Sequence, residues 1–139
     1  RHYRYYAMIL LDYDQIEQIE RIHAWAKFAG DSDIETIVSE QLSKQIDCDK
    51  FIVTHGQMGC VTLEKGSGAT RIPAFTKTVV DTVGAGDAFL AVSAPLAAAG
   101  APMELVGSVG NAAGAMKVSV VGHRRSVEKV PLLRYITTL

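Results

Sequence analysis

An α/β layered fold is predicted by three features of the 139-residue sequence. Short apolar runs at 6–11, 50–54 and 60–64 have the length and composition of strands, and glycine-containing turns separate the last two. Between and after these runs, apolar residues recur at helical spacing. Finally, "VVDTVGAGDAFLAV" (79–92) has the form of a strand, a tight glycine turn and a helix, followed by a second Ala-rich helix. Strands alternating with helices, and then two helices packing together, give the layered class.

The elements follow in order. The run at 6–11 ("YAMILL") suits a buried strand or a short buried helical segment. From 13 to 28, Ile16, Ile19, Ile22, His23 and Phe28 recur near helical spacing, and Gly30 supplies a stop. Ser32 is the expected cap of a second helix, with Glu35 completing a capping box. Its apolar stripe is Ile34, Ile37, Val38, Leu42 and Ile46. "KFIVT" and "CVTLE" form neighbouring strands joined by "HGQMG", where His55 is expected to tolerate an unusual φ. "TRIPAF" is the next strand, and Pro73 marks it as an edge or an end. Two helices are expected over about 85–99 and 102–118, with Gly100 as a C-terminal cap and Pro102 at a first helical position. Pro95 falls inside the first of them, where it removes a hydrogen bond and costs ~3 kcal/mol or forces a kink. No element is assigned beyond Val118.

Composition narrows the function. With 48% apolar and 21% charged residues and a net charge of −1, this is a globular composition with its charges interspersed. It has no electrostatic footprint for nucleic acid or an anionic membrane, and the cluster His123-Arg124-Arg125 is too short to make one. No apolar run approaches the ~20 residues of a membrane span. The basic start "RHYRYY" lacks the apolar region and cleavage site of a signal peptide. Cys48 and Cys60 match no metal motif and are expected as reduced thiols, which places the chain in the cytoplasm. His2, His23 and His123 show no zinc spacing with them. Trp25, Tyr3, Tyr5 and Tyr6 are expected to pack, or to be exposed if a covering segment is missing.

The chemistry concentrates in the glycine turn. Gly84 and Gly86 can take positive φ and admit a ligand close to the backbone. The first amides of the following helix have no partner within it and lie at the positive end of its dipole. Together these features make an anion site, and Asp87 places a carboxylate beside it. Such a pair suits phosphoryl transfer: amides offset charge on the moving group, and the carboxylate takes a proton from the attacking hydroxyl. The plainer alternative is a glycine turn in which Asp87 serves only the helix dipole.

"DTVGAGDAF" closely resembles the second signature of the ribokinase-like, or PfkB, carbohydrate kinases, Asp-Thr-x-Gly-Ala-Gly-Asp. "FIVTHGQMG", "IPAF" and "GNAAGAMKVSVVGHRRS" are similar to neighbouring segments of that family, in the same order over about 50–126. The resemblance implies a ribokinase-like fold and ATP-dependent phosphorylation of a sugar or sugar-derivative hydroxyl, with Mg²⁺. It makes Asp87 the catalytic base and Gly84, Ala85 and Gly86 the anion hole. Thr54, Gly56 and Gly59 would sit near the phosphates and ribose of ATP, and Asn111 near the adenine. A monovalent cation, K⁺, would be bound by Asp81, the Val83 carbonyl and Ser126, which follows Gly122. For Asp81 the other reading is a turn residue that accepts backbone N–H bonds. Arg124 and Arg125 are solvated charges or phosphate contacts.

Three departures accompany the resemblance. Val92 and Pro95 stand where the family has small residues. The family's Asn-x-x-Glu motif, which organises Mg²⁺, has only Asp12-x-x-Gln15 or Asp14-x-x-Glu17 to match it, and solvated first-turn acids are the plainer reading of these. Residues 1–49 contain no sugar-site motif of the family. The chain is therefore expected to be one domain over 1–139, forming the C-terminal, nucleotide-binding half of such a kinase. The alternative is a non-catalytic nucleotide-binding or interaction module. The segment "VVGHRRSVEK" is similar to the heptose-phosphate kinases of the family. An open sheet edge or apolar face would favour a homodimer, which sedimentation tests.

Overall fold

The computed structural model describes residues 8–12, 34–46, 48–76, 78–119 and 126–139. Outside these residues lie the helix expected over 13–28, with His23 and Trp25, and the Ser32 cap. His2, Tyr3, Tyr5, Tyr6, Asp14, Gln15, Glu17, Gly122, His123, Arg124 and Arg125 lie outside them too.

Four strands form one sheet in the order β1 (Met8–Asp12), β2 (Lys50–Thr54), β3 (Cys60–Glu64) and β4 (Gly68–Ile72). β1 runs parallel to β2, with Met8 opposite Lys50 and Asp12 opposite Thr54. β2, β3 and β4 form an antiparallel meander, with Thr54 opposite Cys60 and Glu64 opposite Gly68. A parallel pair needs a long crossover, and helix α1 (34–45) lies within this one. Residues 8–11 of the run at 6–11 thus resolve as a strand, which reaches Asp12, while β2 and β3 keep their expected bounds. β4 begins earlier than expected and stops at Ile72, because Pro73 has no N–H with which to extend the ladder. Gly68, Thr70 and Arg71 are exposed, so Pro73 ends a strand that is also an edge.

The side-chain alternation of the strands divides the core into two faces. Phe51, Val53, Val61 and Leu63 meet Ile34, Val38 and Leu42 of α1 on one side. Ile52, Cys60 and Ile72 meet Phe89, Ala97, Met103 and Val106 on the other. Phe51, Ile52 and Val53 are 1%, 0% and 0% exposed, so β2 is central and covered on both faces.

The middle of α1, Ile37–Leu42, is wound as a π-helix. Residues four apart overshoot a full α-helical turn by about 40°, and the wider winding offsets that drift. Ile34, Val38 and Leu42 consequently stay in line and buried. Glu35 accepts hydrogen bonds from Arg71 Nε at 2.7 Å and Nη2 at 3.0 Å, which ties α1 to the edge strand.

Helices α2 (Ala85–Ala98) and α3 (Met103–Val118) pack along each other. Between them Gly100, at φ 81, donates to the Ala97 carbonyl at 3.1 Å, and Ala101 N–H reaches Leu96 at 3.1 Å. These two bonds form a Schellman cap, the stop that Gly100 was expected to supply. Pro102 is the N-cap of α3 rather than its first helical residue. α2 continues through Pro95 to Ala98, which leaves the Ala91 carbonyl without its intrahelical donor. Lys50, buried, extends from β2 to the C-terminal end of α2, with Nζ 3.4 Å from the Ala97 carbonyl and 3.6 Å from Glu64 Oε1.

A further helix, α4 (Lys129–Ile136), has no counterpart in the sequence expectations. Leu132 is buried against Ala112 and Ala113 of α3, and Pro131 sits in the first turn, where proline is tolerated.

Small residues on α3 set its distance from its neighbours. A Cβ on Gly110 would lie 2.6–2.8 Å from three ring atoms of Phe89. On Gly107 it would meet the more adaptable ends of Ile72 and Thr62, at 2.5 and 2.7 Å. Gly110→Ala is therefore expected to destabilise the fold by about 1–3 kcal/mol of overpacking, against the ~1 kcal/mol alanine gains in a helix. A lower urea midpoint than wild type checks this, and Phe89→Leu in the same chain should relieve it.

Both cysteines are buried, and neither forms a disulfide. Burial pushes the Cys60 thiol from the ordinary 9.0 up to about 12, and a side-chain hydrogen bond with Asn111 draws it partly back. A thiol raised on folding contributes stability that is fully present below its unfolded pKa. That contribution is lost as pH rises from about 9 toward about 12, at an upper limit of order 4 kcal/mol. Urea midpoints should fall across this range, and Cys60→Ala should flatten the slope.

Candidate active site

Three turns and one face of α3 enclose a cleft of about 270 Å³, at the lower edge of the range for ligand pockets. The first turn follows β2. His55 N–H donates to Gly59 O at 2.8 Å, and Gly56–Met58 forms a single 3₁₀ turn. Positive φ falls on Gly56 (49°) and Gly59 (93°), while His55, at φ −132° and ψ 47°, lies outside the regular helical and extended regions. Gly59 also has no room for a side chain, since a Cβ would lie 2.1 Å from the Ile72 carbonyl oxygen and 2.6 Å from Ala74 N.

The second turn is the irregular strap after β4, which contributes Ala74, Phe75 and Thr76. The third is the signature turn. Val80 and Asp81 donate their N–H groups to the Val118 carbonyl at 2.8 and 3.2 Å, fastening this turn to the end of α3. Asp81 Oδ1 accepts the Val83 N–H at 2.9 Å, the turn-forming role weighed for it above. Gly84, at φ 80°, caps α2 with no side-chain bond, and Ala88 N–H reaches its carbonyl at 3.0 Å.

Of the three amides expected to form an anion hole, that of Ala85 is engaged by the Thr82 carbonyl at 3.2 Å. Gly86 and Asp87 open the helix where no carbonyl one turn back lies within it. A Cβ on Gly86 would meet nothing within 4 Å, so this part of the turn is open. Asp87 is exposed in the first turn of α2, at the positive end of the helix dipole.

Thr54, Gly56, Gly59, Ala85, Gly86 and Asn111 all line the same cleft. Gly84 and Asp87 flank it in sequence without lining it. Asp81 and Val83 form the turn beside it, and Val83 is exposed. Ser126 borders a separate hollow with Met116, Lys117 and Glu128.

Sequence reasoning missed the apolar wall of Phe75, Val79, Phe89, Ala115 and Val118. One signal was available: 111, 114, 115 and 118 are at helical spacing, and all four residues face the cleft. Among the described residues no helix is long and apolar enough to cross a membrane, and no three His, Cys, Asp or Glu converge as metal ligands.

A sheet with α1 on one face and α2 and α3 on the other, and a glycine turn opening α2 beside a cleft, is the ribokinase fold. The ribokinase of Thermotoga maritima superposes with a TM-score of 0.70 at 21% identity, over 95% of this chain and 42% of that one. Phosphofructokinase-2 of Escherichia coli gives 0.75 at 14% identity, over 95% of this chain and 40% of that one. The pfkB family carbohydrate kinase model matches residues 19–130, and the chain belongs to that family.

In sequence the chain is 34% identical to the bifunctional protein HldE of Alcanivorax borkumensis over 95 residues, 68% of this chain and 20% of that protein. With HldE of Bradyrhizobium diazoefficiens it shares 36% over 84 residues, 60% of this chain and 17% of that protein. The chain spans about a fifth of these relatives and about two-fifths of the solved kinases.

Proposed function

We propose that this chain carries the nucleotide site and catalytic base for ATP-dependent phosphoryl transfer to a hydroxyl of a sugar or sugar derivative. The observation that carries this reading is the convergence of Thr54, Gly56, Gly59, Ala85, Gly86 and Asn111 on one cleft, in a chain of the carbohydrate kinase family. Its apolar wall suits a planar base, and the Gly86 and Asp87 amides at the start of α2 suit phosphate, which supports ATP as the ligand. Gly86, with open space around it, lets the backbone approach the transferred group. Asp87, exposed one residue on, would hold the proton removed from the acceptor hydroxyl.

Mg²⁺, bound with the nucleotide, would supply charge neutralisation. A K⁺ ion would be held by Asp81, whose Oδ1 also accepts the Val83 N–H, with the Val83 carbonyl and Ser126. Similarity of "VVGHRRSVEK" to heptose-phosphate kinases makes a phosphorylated heptose the first acceptor to try.

A second reading is a non-catalytic nucleotide-binding or interaction module. Calorimetry with ATP and Mg²⁺ tests the nucleotide site common to both. Wild type and Asp87→Ala are expected to bind, whereas Gly84→Val loses at least tenfold in affinity because a β-branched residue cannot hold φ 80°. A folded wild-type chain that binds no ATP would refute the nucleotide site.

A further inference from the structure

We infer that Asn111 is a positioning residue, one that builds a wall of the cleft by tethering the strap 72–76 instead of touching the nucleotide. The inference rests on the nucleotide reading of the cleft. Once β4 ends at Ile72, the ladder no longer dictates where the following carbonyls point, and buried carbonyls need donors. Asn111 Nδ2 donates to two of them in succession, Ile72 O at 3.2 Å and Pro73 O at 3.0 Å. The amide nitrogen has two hydrogens, and the strap carbonyls and the Cys60 sulfur take them up within the fold. A side-chain hydrogen bond also links Asn111 to Cys60 at the start of β3. The residue is only 9% exposed, so little of it faces the space that a base would fill.

Two other contacts hold the same segment. Gly59 lies against the backbone of 72–74 so closely that no Cβ fits, which fixes the strap to the β2–β3 turn. From the opposite side, Tyr135 of α4 donates its hydroxyl to the Phe75 carbonyl at 3.4 Å. Ala74, Phe75 and Thr76, which line the cleft, are therefore carried on a piece of chain gripped from β3, α3 and α4. α4 contributes no lining residue, and through Tyr135 it still acts on the cleft.

Asn111→Asp keeps the shape of the side chain and replaces its paired donors with acceptors facing the two carbonyls. Hydrogen exchange on the ligand-free chain should show the amides of 74–76 at least tenfold faster, with Phe51, Ile52 and Val53 of β2 as protected as in wild type. Calorimetry with ATP and with GTP should then show both affinities reduced by the same factor, about tenfold. Unchanged exchange in the strap would overturn the inference. So would a loss confined to ATP, the mark of a direct contact with the base. If Asn111→Asp does not fold, Asn111→Ser carries the same two measurements without a buried charge. Tyr135→Phe, which removes only a hydroxyl, is expected to speed strap exchange about threefold. A wild-type chain that binds neither nucleotide would remove the nucleotide reading alone, because the exchange experiment decides the tether without ligand.

Discussion

Asp87→Asn is expected to lower phosphoryl transfer by ~10²–10⁴-fold while leaving ATP affinity within about twofold of wild type. Asparagine matches aspartate in size and cannot take a proton, so the substitution separates proton removal from binding. The structure makes the separation sharp. Asp87 is exposed in the first turn of α2 and does not line the cleft, so the nucleotide walls are untouched by the change. ADP release from ATP, measured over a panel of sugars and sugar phosphates, reads the rate, and calorimetry reads the affinity. An unchanged rate in an active chain would remove Asp87 from the chemistry and leave it as a helix-dipole residue.

Gly59→Ala is expected to cost at least about 4 kcal/mol, a large share of the roughly 5–15 kcal/mol that holds an ordinary domain folded. The Cβ would lie 2.1 Å from the Ile72 carbonyl oxygen and 2.6 Å from both Ala74 N and Pro73 C, all backbone atoms. The residue also holds φ 93° with ψ −131°, outside the regions open to alanine. Gly56, in the same turn at φ 49°, has nothing within 4 Å, so Gly56→Ala pays only the milder left-handed penalty of about 1 kcal/mol. Thermal melts of the two variants side by side check the contrast. Equal melting temperatures would show that the strap yields to a side chain at Gly59.

The strands at 50–54 and 60–64 were legible because each is a short apolar run that ends in a glycine-containing turn, and the turn between them fixes their pairing. Pro73 was legible as a break through its missing N–H. α4 escaped because Pro131 and the polar residues around Leu132 give eight residues little apolar pattern, and burial against Ala112 and Ala113 supplies what propensity does not. The signature turn announced itself by glycine spacing. The strap did not, since its hold on Asn111 and Tyr135 joins residues far apart in sequence that no local pattern connects.

The pairing of β1 with β2 has a kinetic consequence. Thr54 pairs with Cys60 across a tight turn, whereas Met8 pairs with Lys50 across the whole intervening chain. The meander can zip from its own turns, but the parallel pair must first close a long loop, and only then do its contacts repay the lost chain entropy. β1 is therefore expected to join a preassembled meander late in folding, and its amides to be the first of the sheet to exchange as the protein breathes.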